Sequence, residues 1–82
     1  MEVRLSRKAH KILKTLDPSI RSRIVERLLE LEENPYPSDR IKVHGMEGVY
    51  RIRVGDYRVL YEVRRKEGVI LVVKIEHRKH AY

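Results

Sequence analysis

The chain has 82 residues, and its 19 Lys and Arg against 12 Asp and Glu give a formal net charge of +7. It has no cysteine, which excludes disulfides and thiolate metal sites, and no apolar run reaches the roughly 18 residues that a membrane helix needs. One domain over 1–82 is expected, cytoplasmic, away from membranes, and suited to an anionic partner such as nucleic acid or an acidic protein.

Glu2 to Leu5 is a strand candidate, and Ser6 is a good N-cap for the helix that follows. Ala9, Ile12, Leu13 and Leu16 recur at helical spacing and form one apolar stripe. Lys8, Lys11 and Lys14 lie off it and read first as a solvated face, second as a contact to RNA backbone. Asp17-Pro18 stops this helix and starts another, with Asp17 placed to cap and Pro18 at the first helical position, where no N–H is needed. Ile20, Ile24, Leu28 and Leu31 keep one face of the second helix, with Val25 and Leu29 widening it, and Asn34-Pro35 ends it. The two helices are expected to form an antiparallel hairpin.

Pro35 to Asp39 reads as an extended loop, and Ile41, Val43 and Val49 as further sheet or loop packing, with Gly45 and Gly48 bending the chain between them. Tyr50 to Tyr61 then alternates on both sides of a Gly55-Asp56 turn, the pattern of a β-hairpin. Tyr50, Ile52 and Val54 share one face with Tyr57, Val59, Tyr61 and Val63. Arg51, Arg53, Arg58 and Leu60 share the other. Arg65 to Gly68 is the next turn, and Val69 to Glu76 is a last strand, apolar enough to lie centrally.

The order is β-α-α-β-β-β, and the predicted fold is two-layer α+β: the helical hairpin packs on one face of an antiparallel sheet. The open face is expected to carry Arg51, Arg53, Arg58 and Leu60, with Val72, Lys74 and Glu76 from the last strand and Arg78 beyond it. Residues 1–48 hold 10 Lys and Arg against 8 Asp and Glu, while residues 49–82 hold 9 against 4. The contact surface therefore belongs to the C-terminal part. Three guanidinium groups bracketing one turn suit phosphate better than they suit sheet stability.

No metal site is expected, since His77 and His80 beside Glu76 form no ligand set of familiar spacing. There is no Gly-rich phosphate loop and no nucleophile elbow. Asp56 reads as a turn residue, His77 as a side chain on the core face, and no cofactor is implied.

The hairpin Tyr50-Arg51-Ile52-Arg53-Val54-Gly55-Asp56-Tyr57-Arg58-Val59-Leu60-Tyr61, followed by His77-Arg78-Lys79-His80-Ala81-Tyr82, resembles the RelE-type toxins of the RelE/ParE toxin–antitoxin superfamily. The resemblance spans essentially the whole chain. It implies a ribosome-dependent endoribonuclease that cuts mRNA in the A site, with the RNA 2′-hydroxyl as nucleophile on the adjacent phosphate. It also implies a cognate acidic antitoxin, bound in a hetero-oligomer. Carried across, Arg51 and Arg53 match the paired basic strand positions, Arg58 the phosphate-binding arginine, Arg78 the arginine near the leaving group and Tyr82 the C-terminal base. The paired positions are Lys in the best-studied nuclease and Arg here, which keeps the charge and gives up ready proton exchange. His80, with an ordinary pKa of about 6.5, is the other candidate base. Two alternatives remain on the same fold: a ParE-type toxin that inhibits a protein target such as gyrase without cutting RNA, and a non-catalytic nucleic-acid-binding module.

Overall fold

The computed structural model describes residues 1–80, apart from the side chain of His80. Its elements are β1 (Glu2–Leu5), α1 (Arg7–Thr15), α2 (Pro18–Glu33), β2 (Ile41–Lys42), β3 (Val49–Val54), β4 (Tyr57–Arg64), β5 (Val69–His77) and a 3₁₀ turn (Arg78–His80). The strands form a five-stranded sheet in the order β1-β5-β4-β3-β2, with β1 parallel to β5 and the remaining pairs antiparallel. Both helices cover one face, as expected. The sheet is mixed because the chain returns through α1 and α2 before β5 pairs beside β1. The short strand β2 is an addition to the expected order.

Local chemistry sets the helix ends. Ser6 Oγ accepts from the Ala9 N–H at 3.1 Å and caps α1. Pro18 opens α2 at its first turn, but the Asp17 side chain makes no capping bond; only the Asp17 carbonyl is engaged, by the Arg21 N–H at 2.9 Å. Asn34 closes α2, and its side chain accepts from the Tyr36 N–H at 3.1 Å, turning the chain towards the sheet.

The core lies between the helices and the sheet. Ala9, Leu13, Ile24, Leu28 and Leu31 meet Ile52, Val54, Val59, Tyr61, Ile70, Val72 and Ile75. Tyr61 is fully buried, and its hydroxyl donates to the Pro35 carbonyl at 2.8 Å. Three residues expected on the apolar stripes are exposed instead: Ile12, Val25 and Leu29 at 40%, 38% and 57%. They lie on the flanks of helices that have only the sheet to cover them.

Strand β5 also departs from the expected alternation. Leu60 pairs with Lys74 but Tyr61 pairs with Val72, so Val73 is an extra residue in a β-bulge. Val72 therefore faces the core, fully buried, and not the open face with Lys74 and Glu76. Ser6 secures the bulge. Its N–H donates to Val72 O at 2.9 Å and its hydroxyl to Val73 O at 3.1 Å.

Candidate functional site

The β3–β4 hairpin turns on Gly55, whose φ is +58° and is the only positive φ of the turn pair. Positive φ at the first central residue alone is the pattern of a type II′ turn, which matches the twist of the strands. A Cβ at Gly55 would lie 3.3 Å from both Ile20 Cδ1 and Arg23 Nη1. The turn is thus seated against the start of α2, and glycine is what the close approach permits.

From that turn the register orders the open face in rows. Arg53 pairs with Arg58, which pairs with Glu76. One step further, Arg51 pairs with Leu60, which pairs with Lys74. The residues between them, Ile52, Val54, Val59 and Ile75, are buried, which leaves Arg51, Arg53, Arg58, Lys74 and Glu76 on the opposite face. These two rows hold four cations and one carboxylate. Lys74 Nζ stands 3.2 Å from Glu76, whose side chain is 15% exposed.

The rows further from the turn differ. Glu62 pairs with Leu71, which pairs with Arg4, and Arg64 pairs with Val69, which pairs with Glu2. There Arg4 is ion-paired with Glu2 at 3.1 Å and Arg64 with Glu62. Charge is balanced at that end and in excess at the Gly55 end. The apolar residues of this face are Leu60, Leu71, Val49 and Val69.

Arg78 reaches the same end of the sheet by another route. Its N–H donates to the Asp56 carbonyl at 2.9 Å, and its Nε lies 3.5 Å from the Asp56 carboxylate. The guanidinium is thus tied to the hairpin turn and not aligned in a strand row. Asp56, read from sequence as a turn residue, is the group that fixes Arg78.

His77 pairs with Tyr57, and their rings meet edge to face at 5.1 Å on the helix side. His77 Nδ1 accepts from the Lys79 N–H at 3.1 Å. Both residues line a groove of about 510 Å³ between α1 and the ends of β4 and β5, floored by Ile12, Leu16 and Ile75 and edged by Lys8, Lys11, Lys74 and Glu76. Sequence reading missed this groove, because its floor and its edge come from elements about 60 positions apart. Of the six residues singled out from sequence, Arg51, Arg53, Arg58 and Arg78 are brought to one end of the sheet. Tyr82 and the side chain of His80 lie outside the described residues. No cluster of three or more potential metal ligands occurs among the described residues, and no helix there is long and apolar enough to cross a membrane.

Comparison with known proteins gives concordant results. The model of the family described as ParE toxin of type II toxin–antitoxin systems matches residues 3–82. The protein RelE1 of Methanocaldococcus jannaschii is 34% identical over 83 residues, which is 98% of this chain and 92% of that protein. The archaeal RelE–RelB complex from Pyrococcus horikoshii OT3 contains a chain that superposes with a TM-score of 0.84 at 35% identity, covering 98% of this chain and 97% of that one. The isolated E. coli RelE toxin has a TM-score of 0.83 at 24% identity, covering 93% and 82%, a likeness of fold alone.

Proposed function

This chain belongs to the ParE toxin family of type II toxin–antitoxin systems, with RelE toxins among its relatives, and from that premise we propose that it is a ribosome-dependent mRNA endoribonuclease. The observation that carries this reading is the excess of cations over carboxylates at the Gly55 end of the sheet: Arg51, Arg53, Arg58 and Lys74 share it with Glu76, which pairs with Lys74, and Arg78 is anchored beside them by Asp56.

The chemistry suited to that charge is transfer at a phosphodiester. The 2′-oxygen attacks phosphorus, the bond to the 5′-oxygen breaks, and a 2′,3′-cyclic phosphate and a 5′-hydroxyl result. One proton leaves the 2′-hydroxyl and one reaches the 5′-oxygen. Arg58 and Arg78 would stabilise charge on the phosphoryl oxygens and the leaving group, and Arg51 and Arg53 would hold the flanking backbone. Arginine does not exchange a proton usefully near neutral pH, so Tyr82 or His80 takes the role of base. A site strong in phosphate binding and weak in base depends on a 2′-hydroxyl already aligned for in-line attack. Positioning of that kind is worth roughly 7–11 kcal/mol in favourable cases, and a ribosome supplies it where free RNA does not.

An acidic antitoxin is the proposed protein partner, as the RelE of the Pyrococcus horikoshii structure has RelB. Its apolar side chains would fill the groove over Ile12, Leu16 and Ile75, and its carboxylates would meet Lys8, Lys11 and Lys74.

The test is cleavage of mRNA on purified ribosomes and of the same RNA free in solution. Cutting on the ribosome that is far faster than cutting of free RNA is expected; equal rates would sink the ribosome-dependent reading. Tyr82→Phe and His80→Ala assign the base by which of them abolishes cutting. A second reading, inhibition of a protein target such as gyrase, is favoured by one observation: the matching family model is that of ParE. Intact mRNA with altered DNA supercoiling on expression would establish it.

A further inference from the structure

A second group of cations lies on the helix-side face of the sheet, along the β2 edge and the β4–β5 turn. The Tyr36 ring has the Arg40 and Arg65 guanidinium groups each 5.3 Å from its centre, and Arg40 is also 5.5 Å from the centre of Tyr50. The Tyr36 and Tyr50 rings meet edge to face at 5.7 Å. Lys42 pairs with Tyr50 across β2 and β3, and Lys66 follows Arg65 in the exposed β4–β5 turn.

Two features separate this patch from an ordinary solvated surface. Arg40 and Arg65 are held. Arg40 Nη1 donates to the Tyr36 and Pro37 carbonyls at 3.2 and 3.1 Å, and Arg65 Nε donates to the Tyr36 hydroxyl at 2.9 Å. Each then keeps terminal nitrogens that bond to no protein group among the described residues. The patch also has an excess of cations, four against the one carboxylate of Glu67 in the β4–β5 turn. None of the ion pairs among the described residues involves Arg40, Lys42, Arg65 or Lys66. The nearby carboxylates of Asp39 and Glu62 are taken by Arg27 and Arg64.

We propose that Arg40 and Arg65, ordered around Tyr36, together with Lys42 and Lys66 beside them, form a second RNA-backbone contact, separate from the Arg53–Arg58 end. Guanidinium groups stacked on aromatic faces are ordered in advance, and their in-plane N–H groups remain for phosphate oxygens. Apart from the two tyrosine rings that carry the guanidinium groups, the side chains of the patch are cationic. Ile41, the exposed apolar residue beside Lys42, is on the other face of the sheet by strand alternation. Seven residues of β-structure separate Arg65 from Arg58, about 23 Å at roughly 3.3 Å per residue. Lys42 is nearer, in the strand row next to Arg51, but faces the opposite side of the sheet, so the patch grips RNA away from the bond that is cut. This inference rests on the ribosome-dependent reading above and deepens it: a two-ended grip favours a large, structured RNA over a short free strand.

The test is co-sedimentation with ribosomes at several salt concentrations, beside the rate of mRNA cutting at saturating ribosomes. Lys42→Ala with Lys66→Ala touches none of the bonds to Tyr36, and Arg65→Ala is added to it as a third change. The slope of log affinity against log salt is expected to become shallower by about two to three for the triple variant, at about 0.7–0.9 for each phosphate no longer neutralised. The Lys pair alone should account for about half to two-thirds of that change, which keeps the result readable if Arg65→Ala loosens the loop. The saturated rate is expected to stay within about twofold. An unchanged slope overturns the proposal, and so does a fall in saturated rate as large as that of Arg58→Ala. A loss of affinity for the antitoxin alone makes the patch a protein contact and overturns it too. If the unaltered protein neither binds ribosomes nor cuts mRNA, both this inference and the reading beneath it fall; if it does both and the variants match it, only this inference falls.

Discussion

Arg53 and Arg58 stand directly opposite one another across β3 and β4. Like charges in that position are destabilising, so the pair is kept at some cost to the fold. Arg53→Thr should raise the melting temperature of the free protein and lower ribosome-bound cutting; a drop in both would mean that Arg53 supports the sheet. Arg58 has Glu76 as its strand neighbour on the other side. Arg58→Ala is expected to cost about 10²–10³-fold in cutting rate, the scale of losing one group that stabilises transition-state charge. A loss no larger than that of Lys14→Ala, measured under single turnover, would reduce the site to a diffuse basic surface. Tyr61 gives a prediction of the opposite kind. Burial pushes its phenol up to about 12 from the ordinary 10.0, only partly offset by Arg40. The unfolded chain loses this proton near its ordinary value and the folded one holds it. The contribution to stability is therefore complete below pH 10 and lost as pH rises towards about 12. Tyr61→Phe should be flatter over that range in a pH series of thermal melts. At neutral pH it gives up about 1 kcal/mol with the bond to Pro35.

At the scale of the element, β5 and the hairpin turn set where the charges point. The bulge at Val73 lets Val72 and Ile75 both face the core while Lys74 and Glu76 face out. Ser6 holds that bulge and caps α1 at once. Ser6→Ala should thus cost about 1–2 kcal/mol, the upper part of the range for a lost cap. For a domain of this size that is a fall of several degrees in melting temperature. A shift under a degree would show that neither bond matters. Gly55→Ala meets two obstacles, a positive φ and close approaches of 3.3 Å to α2. It should lower stability by about 1–2 kcal/mol and also disturb Arg78, which hangs on the same turn through Asp56. Cutting should fall further than stability alone explains, as single-turnover rates well below the melting transition can show.

Over the whole molecule, the net charge of +7 is distributed unevenly. Cations exceed carboxylates at the Gly55 end of the open face and again around Tyr36, while the Glu2, Arg4, Glu62 and Arg64 corner is balanced. Salt should therefore act in opposite directions on folding and on binding. With a screening length of about 10 Å at 0.1 M, added salt relieves repulsion within each cluster and should raise the melting temperature of the free protein. The same salt should weaken its hold on RNA. Melting curves with and without RNA across a salt series check both signs at once, and parallel curves would argue against phosphate as the ligand.

Alternation about Gly55-Asp56 is enough to place Arg51, Arg53 and Arg58 together, because strand side chains alternate whatever surrounds them and the apolar and charged rows there are distinct. The caps and breaks at Ser6, Pro18 and Asn34-Pro35 were legible for a like reason: each acts on its own neighbours. Val72 was not, since the run from Val69 to Val73 is apolar throughout and carries no alternation from which a bulge could be read. The exposure of Ile12, Val25 and Leu29 depends on how wide a sheet lies beneath the helices. The attachment of Arg78 to Asp56, the groove under His77 and the grouping of Tyr36, Arg40 and Arg65 all join residues distant in the chain. Local sequence determined which faces exist and what they carry. Only tertiary packing decided which of them meet, because that depends on the register between strands and the seating of helices on the sheet.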